Sequence, residues 1–312
     1  MICGTKKWGI KMANRRKKNI KIKIFESVVS IIFLTIIAIL GTNSDFYKSD
    51  QENNTEITQV STGSNLEIYF IDVGQADSIL VQNKEESMLI DAGNNEDGKD
   101  VVNFIKEKGI KKLNYVIGTH PHEDHIGGLD DVINSSLEIE NIFMPKIQTN
   151  TKTFEDVLDA ISNKGLNITA PQKGDEFKIG EAKCEVMTDS ILDQKNLNLS
   201  SIIIKLQFGN NSFLFMGDAE TKNEETRNWP KVDLLKVGHH GSNTSSSEEF
   251  LNQVKPKYSI IMVGKNNSYK LPKSETIEKL NKIGSQIYRT DENGTIQVTS
   301  DGNDIEIKKY NN

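Results

Sequence analysis

The chain has 312 residues, 36% hydrophobic and 26% charged, so most of it is expected to fold as a globular body rather than stay disordered. Its two cysteines, Cys3 and Cys184, are too few for a cysteine-rich zinc module. The net charge is −6, but residues 1–44 hold nine Lys or Arg and one acidic residue, which leaves the rest near −14 and argues against tight, sequence-independent binding of nucleic acid.

A basic segment followed by an apolar one begins the chain. Residues 1–23 are rich in Lys and Arg, and residues 24–41 are almost wholly apolar. As a helix of about 1.5 Å per residue, the apolar segment would nearly cross the hydrocarbon layer of about 30 Å. Because the basic flank should stay in the cytoplasm, we predict a signal anchor or transmembrane helix over 24–41, with a cleaved signal peptide as the alternative. The polar segment 42–65 is predicted to be a flexible linker.

From Leu66 onward, short apolar runs alternate with amphipathic stretches, and we predict one domain over residues 66–312. Strands are predicted at Leu66–Asp72, Ser78–Val81, Met88–Asp91, Tyr115–Thr119, Ile142–Met144, Cys184–Met187, Ser201–Phe208, Ser212–Met216, Leu234–Val237, Tyr258–Val263 and Thr295–Thr299. Helices are predicted at Gly98–Lys108, Thr153–Asn163, Ser247–Val254 and Ser274–Ile283, with Ser274 as the N-cap of the last one and Gly284 after its end. This order predicts an α/β (α+β) fold with helices outside stacked sheets.

The five histidines fall into two clusters. His120, His122 and His125 lie within six residues, directly after a predicted buried strand. Their spacing directs His120 and His122 toward one side of a loop, and Asp124 stands among them. Neutral imidazole and carboxylate are the usual ligands of zinc and related metals. We therefore predict that His120 and His122 bind one divalent ion while Asp124 and His125 bind a second.

The remaining ligands are expected at the ends of two later strands. Asp218 follows Gly217 after an apolar run, and we predict that its carboxylate bridges the two ions. His239 and His240 follow the predicted strand Leu234–Val237. One of them should complete the second ion's ligands; we expect His240 to be the ligand and His239 to face the substrate, with the reverse as the alternative.

These motifs resemble the metallo-β-lactamase superfamily, and more closely the extracellular hydrolase domain of ComEC-type competence proteins. The residues that carry the resemblance are Asp72–Ser78, Leu89–Gly93, His120–Gly128, Asn198 and Ser201, Met216–Glu220, Leu235–Ser242 and Tyr288–Asp291. The resemblance covers about residues 66–308. It implies an αββα sandwich with the metals at one rim, with Asp91 orienting the histidine loop and with Asn198, Ser201 and Ser242 supporting the site.

Two features depart from the superfamily pattern. Many members have a further ligand histidine between the first cluster and the bridging aspartate, whereas this chain has no histidine between 126 and 238. One ion is therefore left with His120, His122 and Asp218. Members often also have a histidine near the last helix, where this chain has Tyr269–Pro272.

The resemblance implies an extracytoplasmic, metal-dependent hydrolase with two divalent ions, zinc being expected and manganese the alternative. Hydroxide held between the ions would attack, Asp124 would orient it or accept its proton, and His239 would donate to the oxyanion or leaving group. The expected substrate is a phosphodiester. The alternatives are another ester, such as a phosphorylcholine ester, lactone or carboxylic ester, and a non-catalytic accessory module. The other expected partner is the membrane, through the N-terminal helix; nucleic acid is not favoured by the acidic body.

Overall fold

The computed structural model describes residues 64–310. These residues lie within a compact unit that spans 59–312. The predicted basic segment, the predicted anchor and most of the predicted linker lie outside the described residues. Within 64–310, no helix combines the length and the apolar character that crossing a membrane requires.

The described residues form fifteen strands and eight α-helices. The strands are β1 Leu66–Phe70, β2 Ile79–Asn83, β3 Glu86–Ile90, β4 Lys112–Ile117, β5 Glu138–Phe143, β6 Ile168–Thr169, β7 Glu176–Ile179, β8 Ala182–Val186, β9 Ile204–Phe208, β10 Asn211–Phe215, β11 Leu234–Lys236, β12 Tyr258–Ile261, β13 Gln286–Arg289, β14 Ile296–Ser300 and β15 Ile305–Lys309. The helices are α1 Gly98–Glu107, α2 Glu123–Ile126, α3 Leu129–Asn134, α4 Lys152–Asn163, α5 Thr221–Glu224, α6 Glu248–Val254, α7 Ser274–Lys282 and α8 Thr290–Asn293. Short 3₁₀ segments lie at Leu197–Ser200 and Gly238–Gly241.

The strands form two mixed sheets. The first has the order β15-β14-β1-β2-β3-β4-β5-β6, and the second has the order β13-β12-β11-β10-β9-β8-β7. In the first sheet β3, β4 and β5 run parallel, and in the second β10, β11 and β12 run parallel. Parallel neighbours end at the same edge, so the loops after β3 and β4 meet at one edge, as do those after β10 and β11.

Successive side chains along each strand point to opposite faces of the sheet, and the buried residues therefore form three layers. Phe213 and Phe215 pack in a cluster with residues of both sheets, such as Phe70, whereas Leu214 faces the opposite side of its sheet. Helices α1, α3 and α4 cover the outer face of the first sheet, and α6 and α7 cover that of the second. The predicted mixed fold with two stacked sheets is therefore confirmed.

The eleven predicted strands overlap observed strands, but four observed strands were not predicted: β6, β7, β13 and β15. These four are the edge strands of the two sheets. Their residues are mostly exposed or half-buried, so no apolar run marks them in the sequence.

The four predicted helices are present within one residue of their predicted ends. The predicted N-cap of the last one is wrong: Lys273 occupies that position, and Ser274 is the first helical residue of α7. The backbone N–H of Lys273 donates to Gly241 (3.0 Å), which holds Lys273 extended and starts the helix after it. Gly284 follows the helix with φ of +77°, as predicted.

Candidate metal centre

The predicted ligands meet where the parallel strands of both sheets end. Asp91 follows β3 and His120 follows β4 in the first sheet, while Asp218 follows β10 and His240 follows β11 in the second. The two edges face each other, because Nε2 of His125 lies 3.2 Å from Oδ1 of Asp218. Sheet topology therefore joins residues that are more than 90 positions apart in the chain.

Four of these residues form a compact group: Asp124, His125, Asp218 and His240. One potential ligand atom from each lies within 4.8 Å of the others. Nε2 of His240 is 3.3 Å from Oδ2 of Asp124 and 3.6 Å from Oδ1 of Asp218. Two imidazoles and two carboxylates at these distances suit a divalent cation.

His120 and His122 form a second pair beside this group. Nε2 of His120 is 3.0 Å from Nδ1 of His122 and 3.9 Å from Oδ2 of Asp218. Oδ1 of Asp218 faces the first group and Oδ2 faces this pair. The carboxylate thus lies between the two sets of nitrogens, as a bridge would, although its metal-binding role stays a prediction.

Buried polar atoms without partners test whether a cation fits. Nε2 of His125, Nε2 of His240 and Oδ1 of Asp218 are buried and make no hydrogen bond. His125 and Asp218 approach closely, but not in hydrogen-bonding geometry. Since buried polar atoms are almost always paired, unpaired atoms converging on one point fit a metal ion.

Asp91 holds the histidine loop. Its buried carboxylate accepts from the backbone N–H and the hydroxyl of Thr119 (2.8 and 2.7 Å) and contacts Nδ1 of His125 at 2.8 Å. A proton on Nδ1 would leave Nε2 of His125 for the metal. These contacts match the orienting role that the resemblance implied for Asp91.

The two adjacent histidines differ in environment. His240 is buried, and its Nδ1 lies 2.9 Å from the carbonyl of Met262, which turns Nε2 toward Asp124 and Asp218. The His239 side chain is 25% exposed and its Nδ1 lies 2.9 Å from the hydroxyl of Thr244. This geometry supports His240 as the ligand and leaves His239 facing the cavity.

The three predicted supporting polar residues lie around these groups. Asn198 Nδ2 is 3.2 Å from Nε2 of His239, and the Ser201 hydroxyl accepts from the backbone N–H of Asp218 (3.1 Å). The Ser242 hydroxyl lies 3.2 Å from that of Thr244, which in turn contacts His239. All the predicted site residues are thus brought to one place.

Carboxylates dominate the electrostatics of the site. Burial opposes protonation of His240, but the negative charges of Asp218 and Asp77 outweigh it and raise its pKa to about 10. Burial likewise opposes a charged His125, yet Asp218 and Asp91 raise its pKa well above the ordinary value. Burial and the neighbouring charge of His125 hold the pKa of His120 well below that of a free histidine. In the absence of metal, His125 and His240 are therefore protonated, and their positive charge lies where a metal cation would bind.

Two further buried residues at the site, Asp77 and Lys236, were not predicted from the sequence. Asp77 is buried, with Oδ1 3.4 Å from Nδ1 of His240, and its carboxylate pairs with the ammonium of Lys236. The signal was available, because a lysine inside the apolar strand that precedes His239 and His240 requires a buried acidic partner.

Two neighbouring cavities open at the site. One of about 330 Å³ is lined by His122, Asp218, His239 and His240, among others. The other, of about 680 Å³, shares Glu123, Asp124 and Tyr269 with it and adds Asp72, Glu96 and Asp97. Of the described residues that line either cavity, none is a Lys or Arg. The surroundings of the site are therefore acidic.

Comparison with known proteins agrees with this geometry. Residues 71–265 match the metallo-beta-lactamase superfamily. The chain is 34% identical over 253 residues to ComE operon protein 3 of Bacillus subtilis, covering 74% of this chain and 32% of that protein. It is 29% identical over 247 residues to Recombination protein 2 of Haemophilus influenzae, covering 77% of this chain and 29% of that protein. The chain thus spans about a third of the length of these relatives.

Among solved structures, the metallo-beta-lactamase fold protein YhfI from Bacillus subtilis is similar, with a TM-score of 0.51. The match covers 72% of this chain and 96% of that one at 13% identity. At this identity the likeness concerns the fold alone.

Proposed function

Because the chain belongs to the metallo-β-lactamase superfamily, a superfamily of metal-dependent hydrolases, we propose that it hydrolyses phosphodiester bonds outside the cytoplasm. One observation carries the proposal: His and Asp side chains converge at the sheet edges with buried, unpartnered ligand atoms on His125, Asp218 and His240.

Two divalent ions fit this ligand set. His120 and His122 would hold one, and Asp124, His125 and His240 would hold the other, with Asp218 between them. Zinc is the expected metal and manganese the alternative, since imidazole and carboxylate bind both. When bound, such ions neutralise charge on phosphate oxygens and lower the pKa of a bound water.

The side chains around the ligands can move the protons that hydrolysis requires. The Asp124 side chain is 32% exposed and faces the cavity, where it can orient water or accept its proton. The Thr244 hydroxyl can partner Nδ1 of His239 in either tautomer, so Nε2 of His239 can carry a proton toward the leaving oxygen. Nδ2 of Asn198, 3.2 Å from that nitrogen, can donate to it when Nε2 has no proton, and this hydrogen bond is lost when Nε2 carries one.

The names of two relatives favour a phosphodiester. Competence protein ComA of Neisseria gonorrhoeae and Recombination protein 2 of Haemophilus influenzae have names that refer to competence and recombination, and the backbone bond of DNA is a phosphodiester. The cavity walls provide no Lys or Arg among the described lining residues, so in this proposal only the ions would neutralise the charge of a bound phosphate.

A second candidate is a phosphorylcholine-type ester. Asp72, Glu96 and Asp97 line the adjoining cavity together with Tyr269, whose side chain is 66% exposed. Acidic groups beside an aromatic ring attract a quaternary ammonium. A small ester that carries such a group would suit this cavity better than a second phosphate would.

The extracytoplasmic location is supported by the basic segment 1–23 and the apolar segment 24–41. We expect protease added to intact cells to degrade the domain. Protection in intact cells together with degradation after lysis would place the domain in the cytoplasm.

The activity is tested with the purified full-length chain loaded with zinc or manganese and assayed on bis-(p-nitrophenyl) phosphate. We expect metal-dependent turnover that falls at least about 100-fold in Asp218→Asn, because this change removes a charge shared by both ligand sets. Asp159→Asn makes the same chemical change at an exposed position of α4 and should leave turnover unchanged.

Other outcomes separate the candidates. About two bound ions per chain without phosphodiester turnover, but with turnover of p-nitrophenylphosphorylcholine, would favour the second candidate. A chain that binds no divalent metal would contradict both.

A further inference from the structure

A lysine is buried directly behind the metal centre. Lys236 is the last residue of β11 and its side chain is fully buried. Its ammonium pairs with the carboxylate of Asp77 and donates to the carbonyl of Gly217 (3.1 Å). A buried ammonium is strongly destabilising unless it is paired, so this residue needs both contacts.

Asp77 connects this lysine to the ligands of the first group. Its Oδ1 lies 3.4 Å from Nδ1 of His240, the nitrogen that also contacts the Met262 carbonyl. Its backbone N–H donates to the carbonyl of Asp124 (3.0 Å). One residue therefore contacts both the ring of His240 and the backbone of α2, which carries Asp124.

Gly217 connects the same lysine to the carboxylate between the two ligand sets. Its carbonyl accepts from Lys236 and from the backbone N–H of His239 (3.1 Å), and Asp218 follows it directly. Gly217 has φ of +53°, and a Cβ there would lie 3.1 Å from Cβ of Thr119. The turn that presents Asp218 is thus held from both sides.

We propose that Asp77 and Lys236 are positioning residues that orient His240 and the Asp218 turn for metal binding, without being ligands. The carbonyl of Met262 lies 2.9 Å from Nδ1 of His240, and the negatively charged carboxylate of Asp77, 3.4 Å from the same nitrogen, attracts this side of the ring, so both groups direct Nε2 toward the metal. Lys236 balances the charge of Asp77, so this carboxylate stays behind the site. The inference rests on the metal-binding part of the proposed function.

The alternative is that Asp77 is itself a ligand, since Asp77, Asp91 and His125 also offer atoms within 4.8 Å of one another. The contacts oppose this. Asp77 pairs with Lys236 through Oδ2, while its Oδ1 is buried without a hydrogen bond and lies 3.4 Å from Nδ1 of His240, the nitrogen that faces away from the ligand group. Both oxygens of Asp91 accept hydrogen bonds from Thr119. A cation among these three would have to displace those partners.

The test uses the full-length chain with Asp77→Asn, Lys236→Met and both changes together. Calorimetry measures zinc affinity and stoichiometry, cobalt absorption reports the ligand geometry, and thermal melts report stability. We expect Asp77→Asn to weaken binding of the ion that Asp124, His125 and His240 would hold about 10- to 100-fold and to alter the cobalt spectrum, with two ions still bound at saturation.

The double variant separates positioning from plain stabilisation. Each single change leaves a buried charge unpaired, so we expect both single variants to have a lowered Tm. The double variant, which has no unpaired charge, should recover part of the lost stability. Metal affinity should stay weakened in the double variant, because the negative charge of Asp77 beside Nδ1 of His240 is still absent. This variant also keeps the test decisive if a single variant does not fold.

Ser259→Ala provides the matched control. It removes a buried contact to Ser285 (2.7 Å) in the same sheet without touching the metal centre. We expect a lowered Tm with unchanged zinc affinity and cobalt spectrum.

Three results would overturn the inference. They are native zinc affinity in Asp77→Asn, native affinity in the double variant, and loss of one whole ion in Asp77→Asn, which would make Asp77 a ligand. Failure of the unsubstituted chain to bind metal would instead contradict the proposed function.

Discussion

Asp91, His239 and His240 share an unusual backbone conformation. Their φ values are +59°, +50° and +49°, in the left-handed region that side chains other than glycine rarely adopt. Each such residue is destabilising by about 1–3 kcal/mol unless its surroundings hold it. Asp91 directly follows β3, and His239 and His240 lie in the 3₁₀ segment after β11, so this strain is concentrated at the candidate metal centre, where geometry matters for binding.

Protonation of the ligands predicts how metal affinity depends on pH. Burial disfavours the charged rings, but Asp218 and other carboxylates raise the pKa of His125 well above its usual value and that of His240 to about 10. Metal requires both rings without a proton on Nε2, so binding releases protons. Apparent affinity should therefore rise as pH increases from 6 toward about 10.

Calorimetry at pH 7 in buffers of different ionisation enthalpy measures this release. We expect about two protons to be released per chain when a metal ion binds to the group that contains His125 and His240. Heat that does not depend on the buffer would contradict the prediction.

Cys184 is predicted to be unreactive in the native protein. Its side chain is 1% exposed within the core between the sheets, and burial raises the pKa of its thiol. Since the thiolate is the reactive form, a disulfide reagent should modify it only after unfolding. In a Cys3→Ser chain we expect no thiol to react without denaturant and one to react in guanidinium; rapid native reaction would contradict the buried position.

At the scale of elements, close backbone contact fixes the histidine loop. A Cβ on Gly128, just before α3, would lie 2.4 Å from the carbonyl oxygen of Ala92 and 2.6 Å from Cα of Gly98 at the start of α1. Ala92 directly follows Asp91, and its N–H donates to the carbonyl of His125 (2.8 Å). The absence of a side chain at Gly128 therefore allows α1 and α3 to approach beside the loop that carries the ligands.

Gly128→Ala is expected to destabilise the fold by about 1–3 kcal/mol and also to weaken metal binding, because the atoms it meets are backbone. Gly109→Ala is the contrast: Gly109 has φ of +74° with nothing within 4 Å, so only conformational strain is added. Thermal melts and zinc titrations of both variants test this. Equal metal affinity in the two would contradict the proposed link between this packing and the site.

The edge strands are the elements that the residue pattern does not predict. The central strands are apolar on both faces, because the other sheet covers one face and helices cover the other. The burial of β6, β7, β13 and β15 is slight by comparison, and their residues resemble those of loops. Only backbone pairing with a neighbouring strand identifies them.

At the scale of the whole molecule, charge predicts the salt dependence of activity. The chain beyond residue 44 carries a net charge near −14, and the cavities at the site have no Lys or Arg among their described lining residues. The phosphates that flank a scissile bond in an oligonucleotide should therefore be repelled. Salt reduces this repulsion, since the Debye length falls from about 30 Å at 0.01 M to about 10 Å at 0.1 M.

We expect the KM for a single-stranded oligonucleotide to fall as salt increases over this range, with little change for bis-(p-nitrophenyl) phosphate, which has one charge. Steady-state kinetics at constant pH and metal concentration measure both. A KM that rises with salt, as counterion release would produce, would indicate a basic nucleic-acid surface.

The amino-acid sequence by itself predicted the residues of the candidate site and determined the layered fold. Histidine clustering, strands that end in polar residues and the resemblance to a known superfamily identified the residues that meet at the site, and the apolar runs located the central strands. These signals are local, because ligand types and strand periodicity are properties of short segments.

Only the tertiary structure decided the rest. It orients His240 rather than His239 toward the ligand group and pairs Lys236 with Asp77 behind the candidate metal centre. It also gives three site residues a strained, left-handed backbone conformation. It also identified the edge strands and the acidic walls of the cavities. These features depend on groups far apart in the chain and brought together by sheet pairing, so no local pattern of residues specifies them.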